Sequence, residues 1–143
     1  MTSSRSWALR EASVPAPPAP PEVAEGKAVM KILFIITKGL EKEGSALRAL
    51  QIAALTSEQG NHVEVFLIDE AVQWALGIKA TSGKSLADYM DLLKTRDHPI
   101  LVCQSCANKR LIHEEDLMDG TIMATMPMLV ERIANPDYKI VTF

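Results

Sequence analysis

The sequence predicts an α/β protein in three layers, α/β/α, built on a mostly parallel sheet. Two observations predict it. Short apolar runs rich in β-branched residues alternate with stretches of helical periodicity, the pattern of βαβ units with helices on both faces. The first of these runs, Lys31 to Thr37, is apolar at nearly every position, as in a strand buried on both sides.

Each element has its own warrant. Lys31 to Thr37 is the first strand, and Gly39 to Gly44 is a loop. Ser45 is the expected N-cap of a helix that carries Ala46, Leu47, Leu50, Ala53 and Ala54 on one face. Gly60-Asn61 stops that helix, and His62 to Ile68 is the second strand. Asp69 is expected to cap a short helix ending near Gly77. Ser85 with Asp88 resembles a capping box, opening a helix with Leu86, Tyr89, Leu92 and Leu93 inward; Asp97-His98-Pro99 breaks it. Ile100 to Val102 is the third strand. Met126, Leu129, Val130 and Ile133 recur at helical spacing, so 126–134 is a helix capped by Thr125, with Pro127 in its first turn. Asn135-Pro136 ends it, and Tyr138 to Phe143 is the last strand.

The chain of 143 residues fits one domain preceded by an extension. Residues 1–28 include Val14-Pro15-Ala16-Pro17-Pro18-Ala19-Pro20-Pro21, which forms neither helix nor central strand, because proline removes N–H donors and restricts its neighbours. They are read as a disordered Pro/Ala-rich extension, with an organelle-targeting segment as the alternative. The folded domain is expected over 29–143, and Met30 stands where that domain would itself begin.

Composition excludes several classes of function. Aromatic residues make up only 5 %, so aliphatic side chains and methionine must fill the core. A net charge of -3 supplies no global attraction for nucleic acid, and the one basic pair of note is Lys109-Arg110. No apolar run approaches the roughly 20 residues that cross a bilayer, so no membrane partner is expected. Two cysteines are too few for a disulfide scaffold, and a reducing cytoplasm is the expected compartment.

In open parallel sheets, ligands bind beyond the carboxyl ends of the strands. Three segments end there: Thr37-Lys38-Gly39, Ile68-Asp69-Glu70 and Cys103-Gln104-Ser105-Cys106. The third carries the chemistry. Cysteine attacks as a thiolate, a form favoured by a helix N-terminus and nearby cations. A helix from Ser105 onward, with Lys109 and Arg110 within two turns, supplies both. Cys103 is therefore expected to emerge at the sheet edge as the faster nucleophile, with Cys106 turned into packing. The plain alternative is that Cys103 is a small buried hydrophobe. A second cysteine three residues on favours function. Gly39, Lys109 and Arg110 are the expected substrate contacts.

The Cys-x-x-Cys pair has three readings: a dithiol that cycles to a disulfide, half a zinc site, or a sulfur carrier. Zinc needs four ligands and only His113 is near, so no metal is expected. His113-Glu114-Glu115-Asp116 reads as a charged, solvent-facing loop. Gly39 to Ser45 lacks the lysine of a phosphate loop, and Gly83-Lys84-Ser85 lacks its first glycine and its preceding strand.

With Met30-Lys31-Ile32-Leu33-Phe34-Ile35-Ile36-Thr37 at the front, Val102-Cys103-Gln104-Ser105-Cys106-Ala107-Asn108-Lys109-Arg110 at the centre and Tyr138-Lys139-Ile140-Val141-Thr142-Phe143 at the end, residues 30–143 resemble the DsrE/DsrF-like family, including its TusD and YchN-like members. The resemblance implies a flavodoxin-like layer fold assembled as homotrimers or homohexamers. It implies sulfur transfer through a persulfide on Cys103, with donor and acceptor proteins as partners and no cofactor. Cys106 matches the second cysteine of the YchN-like branch. One departure is Leu111, where the family often has glycine after the arginine. A dithiol redox protein and a non-catalytic oligomeric binding module are the competing functions.

Overall fold

Five parallel strands form the sheet, one more than sequence periodicity reveals. The computed structural model describes residues 30–95 and 100–143. The strands are β1 (Lys31–Ile36), β2 (His62–Leu67), β3 (Ile100–Cys103), β4 (Thr121–Ala124) and β5 (Tyr138–Thr142), in the order β4-β3-β2-β1-β5. The helices are α1 (Glu43–Glu58), α2 (Ala87–Thr95), α3 (Gln104–Lys109) and α4 (Met126–Ala134). The eight residues Asp69–Leu76 form a 3₁₀ segment closed by Gly77 in the left-handed region, the short helix expected there.

The isoleucine-rich run makes β1 the central strand, buried at every position after Lys31. Lys31 stands opposite His62 on one side and Tyr138 on the other. From β1 to β4 the chain steps across the sheet in one direction. It then returns past β1 to lay down β5. Right-handed crossovers put the helices of the outward steps on one face and α4 on the other. Accordingly α1 packs on α2, and α4 packs on β5. The core is aliphatic, as the composition requires, with Trp74 its largest fully buried side chain. The Trp74 indole N–H is satisfied by the Lys38 carbonyl at 2.9 Å.

One charged cluster is buried with the core. Glu64 on β2 accepts hydrogen bonds from Arg132 of α4, the Tyr138 hydroxyl of β5 at 2.8 Å and the His62 ring at 2.7 Å. Burial alone would raise the Glu64 carboxyl; the bonds from Arg132, His62 and Tyr138 outweigh it and hold the group below the ordinary value. The cluster ties α4 to β2 and β5.

Several expectations are corrected. The first helix begins at Glu43, two residues before Ser45, because the 3₁₀ turn Leu40–Lys42 runs straight into it; Ser45 lies inside the helix. Asp69 is the first residue of its segment and Ile68 holds the cap position. The buried stripe is Met90 and Leu93 of α2 with Leu86 just before it, while Tyr89 and Leu92 are half-buried at its margins. At its start, the Asp88 carboxylate accepts the Ser85 N–H at 2.7 Å. Asp97-His98-Pro99 and the extension lie outside the described residues. On α4, Leu129 alone is buried, and Met126, Val130 and Ile133 face out. Their periodicity marks a helix whose apolar face the other described residues do not cover.

Candidate functional site

β2 and β3 end side by side, with Leu67 opposite Val102. The chain leaving β2 turns into the 3₁₀ segment, and the chain leaving β3 turns into α3. These two short elements pack together at the carboxyl edge of the sheet. That places Asp69 and Glu70 against Cys106 and Arg110.

Cys103 is both the last residue of β3 and the N-cap of α3. Its sulfur accepts the Cys106 N–H at 3.4 Å, the bond a serine or asparagine cap ordinarily makes. The Ser105 hydroxyl lies 3.3 Å from the same sulfur. This cap folds the side chain back over its own helix, and Cys103 is 0 % exposed. The expected exposure of the two thiols is thus reversed: Cys103 does not emerge at the edge, and Cys106 is the half-exposed one. Both cysteines are free, and the Cys106 N–H bond to Cys103 Sγ holds them as neighbours.

Cys106 has its own partners on the opposing segment. The Asp69 N–H points at its sulfur from 3.2 Å, and Asp69 Oδ1 lies 3.9 Å from it. Burial pushes the Cys106 thiol up, contact with Cys103 adds to this, and the Asp69 N–H opposes it. Asp69 adopts a left-handed φ of 54°, a conformation that aspartate tolerates better than most residues. The sequence marks the segment 68–70 as a strand end, but the aim of Asp69 at Cys106 depends on packing between distant elements and has no local signal.

Arg110 is close to the pair but engaged elsewhere. Its guanidinium grips Glu70 at 2.6 and 3.4 Å and donates to the Cys106 carbonyl at 2.9 Å. Hydrogen bonding to Arg110 holds the Glu70 carboxyl below its ordinary range. Arg110 thus clamps α3 onto the 3₁₀ segment and does not meet the Cys103 sulfur directly. Lys109 is exposed at the end of α3. Gly39 joins the same edge for a steric reason: a Cβ there would stand 2.5 Å from the Glu70 carbonyl and 2.6 Å from Gln73 Oε1. Glycine lets the β1 loop lie against the segment that holds Asp69.

The end of α3 resolves the departure at Leu111. The Ile112 N–H bonds the Ala107 carbonyl at 2.9 Å and the Leu111 N–H bonds the Asn108 carbonyl at 3.1 Å, which is a Schellman motif. Leu111 occupies its left-handed position, with φ 57°. The loop therefore closes as it would around glycine, with an exposed leucine in that place. Further on, His113 precedes a 3₁₀ turn over Glu114–Asp116, and all four residues face solvent. Among the described residues, no group of three His, Cys, Asp or Glu side chains is placed to hold a metal ion. No described helix is long and apolar enough to cross a membrane.

Fold and site together define a parallel α/β protein with paired free thiols at the mouth of its third strand. The chain belongs to the DsrE/DsrF-like family, whose sequence pattern matches residues 30–143. An uncharacterized protein of Methanocaldococcus jannaschii is 32% identical over 117 residues, covering 80% of this chain and 100% of that protein. Protein YchN of Escherichia coli is 25% identical over 118 residues, covering 80% of this chain and all of YchN. The crystal structure of E. coli YchN superposes with a TM-score of 0.71 over 80% of this chain and 100% of that one, at 24% identity. A Methanobacterium thermoautotrophicum protein of unknown function shares the fold with a TM-score of 0.60 at 12% identity, over 80% of this chain and 99% of that one. The family is broadly related to sulfur relay.

Proposed function

We propose that this protein is a sulfur carrier that holds sulfane sulfur as a persulfide on Cys103, receiving it from a donor protein and passing it to an acceptor. The observation that carries the reading is the seat of the Cys103 sulfur. It is sealed from water yet accepts the Cys106 N–H and has the Ser105 hydroxyl 3.3 Å away, able to donate to it. Those donors suit a charged sulfur, and burial shields a persulfide from stray thiols. Assembly into a homotrimer or homohexamer belongs to the same reading, and the outward Met126, Val130 and Ile133 of α4 and Ile122 of β4 supply an apolar surface for it. No cofactor enters the reaction.

A dithiol redox role is the second reading, favoured by two free cysteines held as neighbours through the Cys106 N–H bond to Cys103 Sγ. Cyanide separates them, because it strips sulfane sulfur as thiocyanate and leaves thiols intact. After incubation with inorganic polysulfide and removal of the excess, the carrier reading expects about one thiocyanate per chain from Cys106→Ser and none from Cys103→Ser. A redox protein yields none from either.

A further inference from the structure

The carrier reading leaves Cys106 without a task, and its surroundings suggest one. Its backbone N–H bonds the Cys103 sulfur at 3.4 Å, which makes the two cysteines direct neighbours. The Asp69 N–H fixes its sulfur at 3.2 Å, and the Asp69 carboxylate lies 3.9 Å away, within reach of the thiol proton. Cys106 thus sits between a buried sulfur and the carboxylate of the facing segment, whose backbone at Asp69 takes a twist that L-residues seldom adopt. Neither lone thiol packing nor a cap requires that second arm.

Resting on the carrier reading, we infer that Cys106 discharges the Cys103 persulfide: it attacks the inner Cys103 sulfur, closes the Cys103–Cys106 disulfide and expels sulfide. The electron balance is complete within the pair. The Cys106 proton passes to the Asp69 carboxylate. The new bond forms between Cys106 Sγ and Cys103 Sγ, and the bond from Cys103 Sγ to the outer sulfur breaks. Two cysteine sulfurs are oxidised to a disulfide as the sulfane sulfur is reduced to hydrosulfide. A thiol reductant such as glutathione resets the pair. An acceptor that docks promptly takes the outer sulfur first; otherwise the load leaves as sulfide.

The groups facing Cys106 set the rate. Burial first, then Cys103 and the charge of Asp69, hold its proton on, and the Asp69 N–H works against them. Arg110 is nearby, but its charge is matched by Glu70. Cys106 is therefore a thiol that waits for its base, which gives a loaded carrier a holding time.

The test uses the full chain, loaded anaerobically with inorganic polysulfide, freed of excess donor and left without reductant. Free sulfide and intact mass are followed together. The wild type is expected to release its sulfur as sulfide and end two hydrogens lighter than the dithiol. Cys106→Ser is expected to keep the added sulfur mass and release none. Asp69→Asn, which keeps the backbone N–H and tolerates the left-handed backbone, is expected to release sulfide ~10-fold or more slowly, with the loss recovered as pH rises. A wild type that holds its load as long as Cys106→Ser overturns the inference while leaving the carrier reading standing. A Cys106→Ser chain that never loads overturns the carrier reading, and this inference with it. Equal rates in wild type and Asp69→Asn remove Asp69 from the step.

Discussion

Leu111 is a place where the backbone geometry yields a signed, measurable number. Its φ of 57° costs an L-residue about 1–2 kcal/mol relative to right-handed backbone. Its side chain is 79% exposed, so little buried surface offsets that cost. Glycine adopts the conformation freely but gives the unfolded chain about 0.5–1 kcal/mol more entropy to lose. The difference predicts that Leu111→Gly stabilises the protein by about 0.5–1 kcal/mol, raising the thermal midpoint by about 2–5 °C. Leu111→Ala keeps the left-handed cost and should change little. Chemical denaturation with unchanged slope, alongside calorimetry, measures both variants. A destabilised Leu111→Gly would refute the reasoning, since it would mean that the leucine side chain makes contacts stronger than the backbone cost. The alanine variant would then fall with it.

Three other outcomes are expected. Deleting residues 1–28 should move the thermal midpoint by less than about 1 °C, because the segment has too little apolar surface to offset its ordering entropy; a fall of several degrees means that Trp7 or Leu9 packs on the domain. Ionised Glu64 is favoured in the folded state, so its contribution is complete above the ordinary value of 4.5 and is lost as pH falls below it. Glu64→Gln should cost about 1–3 kcal/mol at pH 7 by leaving Arg132 without its counter-charge, and it should flatten the acid limb of the stability curve, as measured by urea midpoints from pH 3 to 7. Native mass spectrometry at micromolar concentration should show a trimer or a multiple of it, with Val130→Lys shifting the population to monomer at unchanged circular dichroism; a wild-type monomer contradicts the assembly.

Much of the sheet is legible in the sequence, because burial on both faces leaves a mark in composition. The run Ile32 to Ile36 can hardly be anything but a central strand. β4 escapes the same reading. Its Thr121-Ile122-Met123-Ala124 is short, lies at the sheet edge and alternates weakly, so neither composition nor period separates it from a loop. The helix at 126–134 is legible as a helix, yet its outward face is not, because periodicity records an apolar stripe and not what covers it. At the site, position is legible and exposure is not. The Cys-x-x-Cys pair at the end of β3 follows from strand order. The burial of Cys103 follows from a cap bond that turns its side chain inward. The roles of Asp69, Glu70 and Gly39 arise from packing between segments over thirty residues apart, which no local window contains.

The central claim, that Cys103 holds the sulfur, is tested most directly by locating it. Tryptic cleavage places both cysteines on one peptide, Asp97 to Lys109, so fragmentation must distinguish them. The chain is exposed briefly to inorganic polysulfide, alkylated to trap every thiol and persulfide, digested and fragmented. The account predicts one added sulfur mass on Cys103 in the Cys106→Ser chain and at early times in the wild type, with Cys103→Ser unloaded. An added sulfur found on Cys106, with Cys103→Ser loading fully, would contradict it.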